Sequence, residues 1–457
     1  MDNLMASSDR SGCVSRRQSA AAGTSGSVQG RKTDTTLETR LPETTLMRSI
    51  RCSYSALASR IVSPGMGNLA VCARRYQQLG LAALFGAMVL VSGCGDETGA
   101  TSEAQSSSTG QGATGSQNAD PSNSERRQNP DLEHPSEHLR VTRFPGTLAD
   151  AELSRWREET PEIDDIRIPS SADDSEQAAL FYDSESDTKK PLLLVLHSWS
   201  TDYLQNIDIP LGQFAVANDW VFMHPNFRGQ NDGRLESTAS DLAISDMEDA
   251  LKYARENAEI DESRIYLLGY SGGAMNALHL ASRHPDVFAG VSAWVPVYDL
   301  VTWHQWNEAR GEKYAGEIAQ ACGGEPSEGS SAFEECRKRS PSTHVPDAAG
   351  EIRVLIAHGI GDTTVPPEQA LHAFNDLANE EDRIPQEQID QLMETRQVPA
   401  GLRERSTQDS HDFPHFAEAD ADVLLHLKSG PAELVLFEGE HDMLYRPGLE
   451  WLARQRR

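Results

Sequence analysis

Runs of consecutive apolar residues recur along the second part of the chain, and helix-spaced apolar segments separate them. Pro191-Leu-Leu-Leu-Val-Leu-His197 is apolar nearly throughout, the pattern of a strand buried on both faces. Asp219–Pro225, Arg264–Tyr270, Val287–Pro296, Glu351–His358 and Glu433–Glu438 predict further strands, and Gln177–Tyr182 an earlier one. Between them, Ser240–Asn257 carries Leu242, Ile244, Met247, Leu251 and Tyr253 at helical spacing, with acidic residues near its start. Gly272–Arg283, a segment from Pro367 to about Asn379 and a segment from Tyr445 predict other helices. Strand and helix alternate, so the fold class is α/β, with a mostly parallel, doubly wound sheet and helices on both faces.

Two segments break the rhythm. Leu300–His344 carries Trp303, Trp306 and Tyr314 and is placed to act as a cap-like insertion. Asn379–Asp420 is acidic and polar, with one amphipathic piece near Gln388–Glu394. Insertions of this length are functional loops or excursions.

The front of the chain has a different texture. Arg74 and Arg75 precede the short apolar run Leu79–Val91, which ends in Ser92-Gly93-Cys94. A basic start, an apolar core too short to span a bilayer comfortably and small residues before a cut describe an export signal. Val91-Ser-Gly-Cys94 resembles a bacterial lipobox, which makes Cys94 the expected lipidation site. The expected organisation is an upstream extension or miscalled start over 1–65, a signal over 66–93, a Ser/Gly/Gln-rich tether over 94–138 and a catalytic domain over 139–457. Met66 is the expected true start. The product is then an exported lipoprotein, periplasmic or at the cell surface, held to the membrane by lipid alone.

Composition narrows the partners. The formal net charge of -29 excludes nucleic acid as an expected partner. It also disfavours anionic substrates unless local arginines offset it. Once the front segments are set aside, Cys322 and Cys336 are the cysteines left in the domain, and an oxidising compartment makes a disulfide between them reasonable.

The candidate chemistry centres on Gly269-Tyr270-Ser271-Gly272-Gly273, between a predicted strand and a predicted helix. Gly-x-Ser-x-Gly at such a corner is a nucleophile elbow, which lifts the serine hydroxyl above the sheet at a helix N-terminus. The flanking glycines are needed because side chains there would strike neighbouring backbone. A serine hydroxyl needs a base, and the base needs an acid to orient it. The expected acid is Asp362, in the Gly-containing loop after the strand ending near His358, with Asp299 as rival. The expected base is His441, after the last strand, with His411 and His415 as weaker competitors and His358 as a structural histidine. The oxyanion hole is expected from the N–H groups of Gly272 and Trp199, with Ser198 as the alternative to Trp199. No zinc spacing, phosphate loop or dinucleotide fingerprint is present, so neither metal nor cofactor is expected.

Together these segments resemble the catalytic domain of the prolyl oligopeptidase-like family of α/β-hydrolases. The resemblance rests on Leu196-His-Ser-Trp-Ser200, Pro225-Asn-Phe-Arg-Gly229, Asp261–Gly273, Arg339-Ser-Pro341, His358–Pro366 and Gly439-Glu-His441. It implies a Ser271, Asp362, His441 triad and acyl transfer to water, acting on a short peptide or a small ester. Where the family has His-Gly-Gly after the first buried strand, this chain has His197-Ser198-Trp199. Peptidases of the family also carry a β-propeller, for which the stretch between the tether and the first core strand is too short. The expected function is therefore a serine hydrolase, a peptidase by resemblance, with a carboxylic-ester hydrolase as the alternative and a non-catalytic binding protein on the same fold as the less favoured one.

Overall fold

In the computed structural model, residues 131–407, 413 and 415–457 are described. The signal-type segment, Cys94, the tether up to residue 130 and His411 lie outside them.

Nine strands form one sheet in the order β1-β2-β4-β3-β5-β6-β7-β9-β8. They are β1 (Asp164–Pro169), β2 (Glu176–Tyr182), β3 (Lys190–Leu196), β4 (Val221–Pro225), β5 (Ile260–Tyr270), β6 (Gly290–Trp294), β7 (Val354–Gly359), β8 (Val423–Ser429) and β9 (Ala432–Phe437). The run from β4 through β3, β5, β6 and β7 to β9 is parallel, and β1, β2 and β8 pair antiparallel at the two edges. The fold is α/β, as the apolar pattern requires. The sequence pattern did not predict β1 and β8. β1 buries little of its surface, so no apolar run marks it.

All residues of β3 are buried, because the sheet is covered on both faces. Leu192, Leu194 and Leu196 join one core with α3 (Asp241–Asn257), α4 (Gly272–Arg283) and α8 (Glu368–Leu377). Leu193 and Val195 point the other way, into a core with α2 (Ile209–Ala217) and α11 (Tyr445–Ala453). Each such side chain contributes about 1.5–3 kcal/mol on burial. Local chemistry sets the ends of α3. The Ser240 side chain accepts from Ala243 N, Asp241 lies in the first turn and Arg255 in the last.

The first insertion is helical, with α5 (Leu300–Glu308), α6 (Lys313–Ala321) and α7 (Ser331–Arg339). Cys322 and Cys336 are bonded there, with Cα atoms 5.2 Å apart, tying the end of α6 to α7. The second insertion holds α9 (Gln386–Thr395) and α10 (Ala400–Arg405), anchored by buried Ile389, Leu392 and Leu402. α9 includes the amphipathic piece read near Gln388–Glu394. α1 (Leu153–Glu159) packs on α2 through buried Trp156.

The folded region starts before the expected boundary at 139. Glu133 exchanges main-chain hydrogen bonds with the Asn218 side chain (2.9 and 2.8 Å), and Leu132 packs on the core. Polar composition hid this segment, because main-chain contacts leave no apolar pattern. Among the described residues, no helix is long and apolar enough to cross a membrane.

Candidate active site

The carboxyl ends of the parallel strands collect the candidate residues. Trp199 follows β3, Ser271 follows β5, Asp362 follows β7 and His441 follows β9. The chain winds in opposite directions from β3, to β4 on one side and β5 on the other, and this switch point lies beside Ser271.

Ser271 sits at φ 56° and ψ −117°, backbone territory that a non-glycine residue occupies at a cost of about 1–3 kcal/mol. Its N–H is held by the Trp294 carbonyl at 2.8 Å. The glycines flanking the elbow are dictated by close approach. A Cβ at Gly273 would lie 2.0 Å from the Leu196 carbonyl oxygen, and one at Gly269 would lie 2.3 Å from the Gly273 backbone. This crowding is what makes the turn tight enough to present the hydroxyl.

Ser271 Oγ lies 2.9 Å from His441 Nε2, and His441 Nδ1 lies 2.6 Å from Asp362 Oδ2. Because Nδ1 faces a carboxylate, it carries the proton and donates. Nε2 is then left as the acceptor for the serine hydroxyl. Asp362 is fully buried, and its other oxygen accepts from Thr364 N (2.8 Å) and Val365 N (3.0 Å). Burial by itself would raise this carboxyl. The charge of His441 and the hydrogen bonds from His358 and His441 outweigh burial and hold it well below the usual carboxylate range.

The competing assignments separate clearly. Asp299 caps α5, accepting from Thr302 N at 2.9 Å and from Ser342 Oγ at 2.7 Å. His415 pairs with Glu418 and Glu450, away from the serine. His358 is buried at the end of β7, with Nε2 3.0 Å from the Val365 carbonyl and 3.2 Å from Asp362 Oδ2. Two acceptors at one nitrogen require Nε2–H. His358 is thus held within the fold, in contact with the Asp362 carboxylate.

The expected oxyanion donors differ in their partners. Ser198 N donates to Gln205 Oε1 at 3.0 Å, so it is committed within the fold. Gly272 opens α4, where N–H groups have no intrahelical acceptor. A Cβ on Gly272 would lie 2.7 Å from Trp199 N, so the two backbone segments abut beside Ser271. The backbone of Trp199 and that of Gly272, the two donors expected from the sequence, thus lie side by side next to Ser271.

Two supports of the histidine loop were not read from the sequence. The Tyr270 hydroxyl donates to the His441 carbonyl at 3.0 Å, and burial pushes this phenol well above its ordinary pKa. Asp442 accepts from Thr142 N (3.1 Å), from Thr142 Oγ1 (2.7 Å) and from the Arg140 guanidinium. The Tyr270 signal lay inside the elbow motif itself. Arg140 and Asp442 are 302 residues apart, and no local pattern links them.

Residues 213–394 match the model of the prolyl oligopeptidase family. Acylamino-acid-releasing enzyme 2 of Oryza sativa subsp. japonica is 27% identical over 128 residues, which are 27% of this chain and 17% of that protein. This chain therefore matches less than a fifth of its curated relative's length. Among solved structures, the Pyrococcus horikoshii acylaminoacyl peptidase is 16% identical, with 47% of this chain and 34% of that one covered and a TM-score of 0.35. Galerina marginata prolyl oligopeptidase B is also 16% identical, with 47% and 31% covered and a TM-score of 0.39.

Proposed function

We propose that this chain is a serine peptidase of the prolyl oligopeptidase type, cleaving an acyl–nitrogen bond of a short peptide through an acyl-enzyme. The observation that carries the reading is the continuous relay from buried Asp362 through His441 to Ser271, at 2.6 and 2.9 Å, with the serine held at a strained elbow.

In this mechanism His441 Nε2 removes the Ser271 proton as Oγ attacks the substrate carbonyl carbon. The carbonyl oxygen takes up the electron pair and is held by the Trp199 and Gly272 N–H groups. Asp362 stabilises the imidazolium, which then gives its proton to the leaving nitrogen as the carbon–nitrogen bond breaks. Water enters, His441 takes one of its protons, and the resulting attack releases the acid and restores the Ser271 hydroxyl. No step requires a metal or cofactor.

Turnover of acetyl-aminoacyl and dipeptidyl p-nitroanilides, beside p-nitrophenyl esters, tests the substrate class. Anilide hydrolysis lost in Ser271→Ala is expected. Ester hydrolysis with inert anilides would replace the peptidase reading by a carboxylic-ester hydrolase on the same residues.

We also propose export and lipid anchoring at Cys94. The basic and apolar run before Cys94 supports this reading, as does the Cys322–Cys336 bond, which suits an oxidising compartment. Radiolabelled palmitate should be incorporated by the full chain in a bacterial host and lost in Cys94→Ala. Equal labelling of both would remove the anchor.

A further inference from the structure

The aromatic side chain of Trp199 stands where the family pattern has a glycine, and the first insertion holds it. Trp199 is buried, and its indole Nε1–H donates to Glu317 Oε2 at 2.8 Å. The second Glu317 oxygen accepts from Lys313 Nζ at 3.0 Å, and Lys313 also reaches Ser200 Oγ at 3.3 Å. Trp303 and Tyr314 meet the indole edge-on, with ring centres 4.9 and 6.4 Å away. Trp303 Nε1 in turn donates to the Thr364 carbonyl at 3.0 Å, and Thr364 N donates to Asp362. The α5–α6 pair thus grips the oxyanion loop on one side and the acid loop on the other.

The Trp199 backbone is constrained from below as well. Asn231 N donates to the Trp199 carbonyl at 2.9 Å, and the preceding N–H of Ser198 is bound by Gln205. Rotation of the Trp199 residue between these two restraints sets the aim of its own N–H. A hydrogen bond at the far end of the rigid indole holds the side chain in one place and so opposes that rotation. Glu317 is a partly buried carboxylate, costly to hold there unless its hydrogen bonds repay the desolvation.

We infer that Glu317 is a positioning residue for the oxyanion hole, acting through the Trp199 indole to aim the Trp199 N–H at the reacting oxygen. The inference rests on the hydrolase reading above, and it makes the insertion part of the catalytic apparatus rather than only a cover. An oxyanion donor works in the transition state, so misaiming it lowers kcat and leaves KM nearly unchanged.

The test uses the full chain with p-nitrophenyl butyrate as substrate and phenylboronic acid as a tetrahedral-adduct inhibitor. Glu317→Ala and Trp199→Phe should each lower kcat about tenfold, less than the loss of a whole donor, with KM within about twofold. Phenylboronic acid should weaken by the same factor as kcat. Glu317→Gln, which keeps an acceptor but not the charge toward Lys313, should recover most of the activity. The Glu317→Ala/Trp199→Phe double variant should be no worse than either single one, since both break the same bond. Thermal unfolding of each variant separates folding from aim. If Glu317→Ala fails to fold, Trp199→Phe against Glu317→Gln decides by the same kcat, KM and boronate readings. Unchanged kcat per folded molecule, or losses that multiply in the double variant, would overturn the inference while the wild type remains an active hydrolase. A wild type that turns over neither p-nitrophenyl butyrate nor the p-nitroanilides would remove the hydrolase reading and this inference with it.

Discussion

The proposed chemistry is concentrated at a few backbone positions whose strain the surrounding packing holds in place. Ser271 keeps its strained conformation because β5 and α4 leave no other path, with Gly273 pressed against the Leu196 carbonyl. Gly273→Ala should therefore destabilise the fold by about 3 kcal/mol or more, read by urea unfolding. A fully stable variant would show that the elbow is looser than this geometry. In the proposed mechanism Asp362 acts by orientation and charge. Asp362→Asn should leave the fold intact and lower kcat by about 10⁴, because the amide supports the wrong imidazole tautomer. A loss under about tenfold would remove Asp362 as the orienting acid. Its depressed pKa also fixes the sign of a stability effect. The stabilisation from ionised Asp362 is present above the usual carboxylate range and disappears only as pH falls through the depressed value.

At the scale of elements, the insertions and helix faces carry what the sequence showed least clearly. Buried strands were legible because two covered faces demand continuous apolar runs, as in β3. The loops with Asp362 and His441 were legible because each follows such a run. The edge strand β1, the Tyr270 hydroxyl and the Arg140–Asp442 pair were not, since each depends on partners distant in the chain. The Cys322–Cys336 bond closes a separation of 14 residues across the α6–α7 junction. Replacing both cysteines with serine should cost about 3 kcal/mol, measured by thermal unfolding. An unchanged midpoint would mean that packing alone holds the junction. On α4, His279 is buried beside His344, with ring centres 4.3 Å apart, and Arg283 Nε donates to its Nε2 at 3.2 Å. Burial, then His344, then Arg283 push its pKa down to about 3. The unfolded chain binds this proton from about pH 6.5 downward, so the folded state loses stability as pH falls toward 3. His279→Gln should flatten that slope by up to about 1.4 kcal/mol per pH unit, and an unaltered slope would contradict it.

For the whole molecule, the segment from residue 131 to the start of α1 belongs to the working structure. It brings Arg140 and Thr142 onto Asp442, the neighbour of His441, and packs Val141 into the core. A chain starting at residue 131 should match the full chain in kcat, whereas one starting at residue 145 should lose most activity and some stability. Equal activity of the two would show that this clamp is dispensable. The strongly negative net charge bears on the substrate and disfavours an anionic one.

If His441 and Asp362 make Ser271 a nucleophile, Ser271 reacts covalently with an electrophilic phosphonate. The full chain is treated with a fluorophosphonate and the modified residue is located by peptide mass spectrometry. A single adduct on Ser271, absent from Ser271→Ala and strongly slowed in His441→Ala, is the predicted result. An unlabelled wild type, or labelling that survives in Ser271→Ala, would contradict it.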